Sequence, residues 1–178
     1  MPADLNALLP AFRIRVEDLV SACRQRGVEI RPYTAMRDPV EQARLWRQSR
    51  AREEIEHKIG ELRGRGAPFL AHCIEVAGAC SGAHATHSIP GLSWHQWGEA
   101  VDSFWVVDGR AEWSTSRKVA GVNGYQVYAE EATKLGLDAG GLWRRFKDWP
   151  HVQLRPGSSP LGPMKLSDID DEMSRRFA

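Results

Sequence analysis

Apolar residues recur at three- and four-residue steps in the first segment of the chain, at Phe12, Val16, Leu19, Val20 and Cys23, with Gly27 beyond them. That period marks a helix with one buried face, and the glycine supplies its stop. The stretch VEIRPYT, residues 28–34, reads as a short strand. A second helix start follows: Asp38 can cap, Pro39 suits the first helical position, and Glu41 completes a box-like pattern. Ile55, Ile59 and Leu62 carry helical spacing on through a charged run that Gly64 and Gly66 close. Residues 67–90, rich in Ala, Gly, Ser and His, predict an irregular connection with a short helix in PFLAHCIEVA. Residues 100–114 predict a hairpin about Asp108-Gly109, a good tight-turn pair. Tyr125, Tyr128, Ala132 and Leu135 predict a third helix, HVQL (151–154) a short strand, and the tail a small capped helix from near Ser167. Helices and antiparallel strands in mixed order predict an α+β fold. With 178 residues and no internal repeat, the chain is expected to form a single domain, a small antiparallel sheet flanked by helices.

Composition narrows function by exclusion. Charged residues make up 26% of the chain and the formal net charge is +1, which favours neither nucleic acid nor an anionic membrane as partner. No apolar run approaches the roughly 20 residues of a membrane span. The N-terminus lacks a basic start followed by an apolar core, so cytoplasmic synthesis without a signal peptide is expected. Cys23, Cys73 and Cys80, with no C-x-x-C pair, argue against a zinc knuckle or a disulfide scaffold and for free thiols. His84 and His87 read as solvated loop histidines, and RQSRAR as a solvated helix face. Of the seven tryptophans, Trp94, Trp97, Trp143 and Trp149 flank the candidate chemistry described next and are expected to line its groove. Trp46, Trp105 and Trp113 are expected in the core.

That chemistry starts in GLSWHQWGEAVDSF, where His95 and Asp102 stand seven residues apart around Gly98. On one straight strand an odd separation puts them on opposite faces. On a helix they would align, but the glycine and the β-prone stretch after it disfavour a helix. A bend at Gly98 brings His95 back beside Asp102, which then shares a strand face with Phe104 and Val106. A carboxylate on such a face needs a compensating cation or donor. Taken alone, the pair favours a local cap or pairing by Asp102 and a surface histidine over a shared metal ion. KDWPHVQL adds weight to the metal. Pro150 biases Trp149 away from helix, so His151 and Gln153 face one way on an extended segment. His95, Asp102 and His151 are expected to supply the three protein ligands of a catalytic zinc, with Asp148 as a separate base for the attacking water. Ser93 lacks a nucleophile-elbow context and is read as a hydrogen-bonding or substrate-binding residue near the metal.

Ser93-x-His95-x-x-Gly98-x-Ala100-x-Asp102 followed by Asp148-x-x-His151 resembles the zinc D-alanyl-D-alanine carboxypeptidase and L-alanyl-D-glutamate endopeptidase family, peptidoglycan peptidases that include endolysins. The resemblance runs from about Val16 to Leu154. It implies zinc on His95, Asp102 and His151, Asp148 as catalytic base, and Arg37 in TAMRDPVEQARLW as the group that steadies the oxyanion. Gln42 would support the site from the helix face, and Trp143 would bind substrate. GGLWRRFKDWPH is similar to the L-alanyl-D-glutamate branch, with a D-alanyl-D-alanine carboxypeptidase or dipeptidase as the alternative. The implied fold is hedgehog/D-Ala-D-Ala peptidase-like, with a core of about 12–155, an inserted extension at 50–88 and a tail at 156–178. The implied partners are peptidoglycan stem peptides, met by a monomer at the cell wall, with phage-type release as one route there. Asp148 and Arg37 argue for catalysis over a non-catalytic zinc-binding module of the same fold, which needs neither.

Overall fold

The computed structural model describes residues 3–178. The contacts part the chain into two compact units, residues 3–36 with 97–156, and residues 37–96 with 157–178. Six α-helices and an antiparallel five-stranded sheet are present among the described residues, an α+β architecture. No helix is long and apolar enough to cross a membrane.

The first unit carries the sheet. Helix α1 (Pro10–Gln25) buries Phe12, Val16, Leu19 and Cys23, the periodic positions of the sequence. Strand β1 (Glu29–Thr34) pairs with β2 (Ala100–Val107), which pairs with β3 (Arg110–Glu112) through the expected Asp108-Gly109 turn. Helix α5 (Gly124–Lys134) starts at Asn123, whose side chain accepts from the Gln126 N–H. Strands β4 (Asp138–Ala139) and β5 (His151–Gln153) complete the order β1-β2-β5-β4. The core lies between the sheet and helices α1 and α5, where Val101, Trp105 and Val152 meet Phe12, Leu19, Tyr125 and Tyr128. Burial of this apolar surface is the main favourable term in folding.

The second unit is helical: α2 (Pro39–Arg47), α3 (Arg52–Gly64), α4 (Pro68–Val76) and α6 (Leu166–Phe177). Asp38 caps α2 as the sequence predicts, its carboxylate accepting from the Val40 and Glu41 N–H groups. The charged run beyond it is not one continuous helix. The chain leaves helical geometry between α2 and α3, with Ser49 at φ 63°, a left-handed conformation that ends a helix. Helix α6 has Lys165 at its N-cap and no side-chain cap, contrary to the capped start expected near Ser167. Instead its own buried Asp170 serves another helix, accepting from the Phe69 and Leu70 N–H groups at the uncapped start of α4.

Three tryptophan assignments change. Trp113 is 54% exposed and stacks edge-on to Tyr33 outside the core, because β3 ends just before it. Trp94 and Trp97 are buried and act as packing rather than as groove walls. All three cysteines are free, and burial pushes the Cys23 and Cys73 thiols up to about 12, which leaves them without nucleophilic character.

Candidate metal centre

Gly98 is where the bend begins. Its φ is +69°, and an added Cβ would sit 3.1 Å from the Ala7 carbonyl oxygen and 3.2 Å from the Leu9 nitrogen, so only glycine fits without strain. The residues before it form a short 3-10 turn, Trp94–Trp97, which holds His95. Ser93 Oγ accepts from the His95 N–H at 3.4 Å, and the Arg37 N–H donates to the His95 carbonyl at the same distance. After Gly98 the chain enters β2, where Asp102 stands directly opposite His151 of β5. Opposed residues project to the same sheet face. His151 Nδ1 accordingly lies 3.0 Å from Asp102 Oδ1.

His95, Asp102 and His151 each offer one ligand atom, and these atoms all lie within 4.8 Å of one another. Both histidines are buried, and the Asp102 side chain is only 14% exposed. Two imidazoles and a carboxylate are the donor types of a three-ligand zinc site, whose tetrahedral edges of roughly 3.3 Å fall inside that 4.8 Å limit. The trio can therefore hold one metal ion. His84 and His87 pair with each other, ring centres 4.4 Å apart and both exposed, and are not part of a group of three among the described residues.

Burial pushes the His151 imidazole down, but the hydrogen bond to Asp102 and the carboxylates of Asp102 and Asp148 outweigh it and leave the pKa above its ordinary value. Asp148 sits in the loop entering β5. Its N–H donates to the Gly140 carbonyl at 3.0 Å, and its own carbonyl accepts from the His151 N–H at 3.1 Å. A Cβ on Gly140 would stand 2.4 Å from the Asp148 carbonyl oxygen, so the glycine permits this close approach.

Gln42 is fully buried and holds Arg37: its Oε1 accepts from Arg37 at 2.9 Å and from Gln96 Nε2 at 3.1 Å, while its Nε2 donates to the Ser88 carbonyl at 2.7 Å. Gln96 Oε1 in turn accepts from the Ser93 N–H. Trp143 sets its ring 5.3 Å from that of His151 and donates its indole N–H to Asp138 at 2.9 Å. Sequence reasoning passes over Gln96, Asp138 and the buried Glu99, which is paired with Arg155. The one available signal was placement, since Gln96 adjoins His95 and Gln153 stands two residues after His151.

A model of the VanY D-alanyl-D-alanine carboxypeptidase family matches residues 7–139, a span that holds Arg37, Gln42, Ser93, His95 and Asp102 and ends before Asp148 and His151. Peptidoglycan L-alanyl-D-glutamate endopeptidase CwlK of Bacillus subtilis (strain 168) is 24% identical over 159 residues, covering 88% of this chain and 77% of that protein. An alignment of that extent takes in the chain from Arg37 through His151. Among solved structures, the L-Ala D-Glu endopeptidase ChiX of Serratia marcescens aligns over 85% of this chain and 83% of its own, with 16% identity and a TM-score of 0.45. A Zn(II) complex of a mutant vancomycin-resistance D,D-pentapeptidase VanY, from a VanB-type cassette, aligns over 82% and 71%, with 20% identity and a TM-score of 0.44.

Proposed function

Because the chain belongs to the VanY D-alanyl-D-alanine carboxypeptidase family and is thus a peptidase, we propose that it hydrolyses an amide bond of the peptidoglycan stem peptide, the L-alanyl-D-glutamate bond in particular, with zinc as its metal. The observation that carries this reading is the approach of the His95, Asp102 and His151 ligand atoms to within 4.8 Å, with Asp148 beside but outside the trio. The choice of bond draws its support from the endopeptidase relative, whose similarity extends past the end of the family match.

Zinc, when bound, supplies a Lewis acid that lowers the pKa of water to about 7 and polarises a carbonyl. The protein's own groups do the rest. Asp148, a carboxylate with no ligand duty, takes a proton from the attacking water and passes it to the leaving amine. Arg37 balances the negative charge that develops on the carbonyl oxygen, a contribution of about 3 kcal/mol when the donor is well placed. Gln42 keeps the Arg37 guanidinium in one orientation from beneath.

Defined muropeptides provide the test. Incubation with zinc should release fragments beginning at D-glutamate, and a chelator should stop the release. Loss of terminal D-alanine alone would reassign the bond to the carboxypeptidase alternative. Zinc binding with no cleavage of any wall peptide would refute peptidase activity on peptidoglycan.

Two further results are expected. Gly140→Ala forces the Asp148 carbonyl to move, and a displacement of about 1 Å in a catalytic group costs on the order of 10²-fold in rate. Turnover of a stem peptide should fall accordingly while the protein still folds. Unchanged turnover would show that Gly140 does not position the base. The second concerns pH. With no metal bound, the raised His151 pKa makes the imidazolium stabilising below its ordinary value of 6.5, and that contribution fades as pH rises through the higher folded value. A metal taking Nδ1 has to displace this proton. The increase in Tm on adding zinc should therefore be larger at about pH 8 than at about pH 6. An equal increment at both would contradict His151 ligation through that nitrogen.

A further inference from the structure

We infer that Gln153, itself aligned by Asp138, is a positioning residue that fixes the tautomer of His151 and so decides which of its nitrogens faces the metal. The inference rests on the reading of His151 as a metal ligand and extends it to residues that no family motif above includes.

The strand register sets up the arrangement. Asp102 stands opposite His151, and Asp138 opposite Gln153, while His151 and Gln153 are two residues apart on β5. Side chains at that spacing share a face, so the four polar groups form a row across β2, β5 and β4. His151 uses both ring nitrogens in this row, Nδ1 with Asp102 Oδ1 at 3.0 Å and Nε2 with Gln153 Oε1 at 2.9 Å. His151 and Gln153 are 8% and 1% exposed, so water does not readily substitute for either bond.

An amide can in principle turn either end to a neighbour, and the surrounding acceptors decide which. Gln153 Nε2 donates to Asp138 Oδ2 at 3.2 Å and to the Arg155 carbonyl at 2.5 Å. Turning the amide over would press Oε1 against a carboxylate oxygen and a carbonyl oxygen, neither of which has a hydrogen to give. Oε1 is therefore committed to His151, and an amide oxygen only accepts. His151 must then carry a hydrogen on Nε2. Nδ1 faces the Asp102 carboxylate, also an acceptor, so in the metal-free protein both nitrogens are drawn to hold a hydrogen, and the one on Nδ1 is the one that a metal replaces. Asp138 is fixed in turn by the Trp143 indole N–H on its other oxygen. A ligating imidazole whose second nitrogen is tied to an acceptor is held in orientation and made more basic, an effect worth roughly 10- to 100-fold in metal affinity.

The test uses the full chain, zinc alone as probe, and two readouts: zinc affinity by chelator competition, and the His151 Nε2–H signal from side-chain 15N shifts of the zinc-loaded protein. The parent should bind zinc and show hydrogen on Nε2. Gln153→Met removes the acceptor at similar volume. It should weaken zinc roughly 10- to 100-fold and leave the Nε2–H without its acceptor, which shifts that signal. Asp138→Asn is isosteric and spares the fold should Gln153→Met not fold. It withdraws the carboxylate that aligns the amide and should shift the same Nε2–H signal, with weaker zinc binding. Parent-like affinity and an unshifted Nε2–H signal in whichever variant folds would overturn the role of Gln153 while leaving His151 as a ligand. A parent that binds no zinc would instead refute the ligand reading itself, and this inference with it.

Discussion

Asp148→Ala is expected to retain one zinc ion per chain and to lose roughly 10²- to 10⁴-fold in turnover, the usual worth of a positioned general acid–base group. The separation of effects is the point. Asp148 lies outside the trio of ligand atoms, so its removal leaves the donor set intact. Its backbone bonds, to Gly140 and from His151, do not depend on the side chain, so the loop entering β5 keeps its path. What disappears is the carboxylate that carries a proton from water to the leaving amine. Asp148→Asn should behave alike, since it keeps the shape and loses the basicity. Metal analysis alongside steady-state kinetics on a stem peptide checks both halves. Wild-type turnover in either variant would remove Asp148 from the mechanism, and lost zinc would make it a ligand.

Asp102→Ala is expected to fail at the earlier step, with stoichiometric zinc lost and turnover below detection. A three-ligand site reduced to two imidazoles no longer offers the charge or the geometry that a catalytic zinc requires. The same substitution removes the group that holds His151 above its ordinary pKa, so the neutral, buried ring should titrate lower than in the parent. Chelator competition and metal analysis read the first effect, and the His151 NMR titration reads the second. Full zinc occupancy in the variant would contradict Asp102 as a ligand. The contrast with Asp148→Ala separates a residue that holds the metal from one that works beside it.

Much of this arrangement was legible along the chain wherever neighbours in sequence decide the outcome. The periodic apolar face of α1, the Asp38 cap, the Asp108-Gly109 turn and the bend at Gly98 are all local, set by periodicity or by one residue's conformational limits. The ligand candidates stood out because few residue types bind zinc and their neighbours excluded a helix or a straight strand. Distant pairings left no such trace. Asp170 caps α4 from 100 residues away, so neither end of that bond signals the other locally. The opposition of Asp102 and His151, and of Asp138 and Gln153, depends on the sheet register, which no single strand encodes. Gln42 stood out only through the family resemblance, and Gln96 reads as an ordinary polar residue until its burial shows that its amide braces Gln42. The helix break at Ser49 was hidden by charged residues on both sides that favour helix equally well.

The claim on which the rest depends is that one metal ion sits among His95, Asp102 and His151. A crystal grown with zinc and measured on both sides of the zinc absorption edge tests it directly. The account predicts one anomalous peak roughly 2.0–2.2 Å from a nitrogen of each histidine and an oxygen of Asp102. Zinc bound elsewhere on the chain, or no peak among these three in a preparation that still cleaves stem peptides, would contradict it.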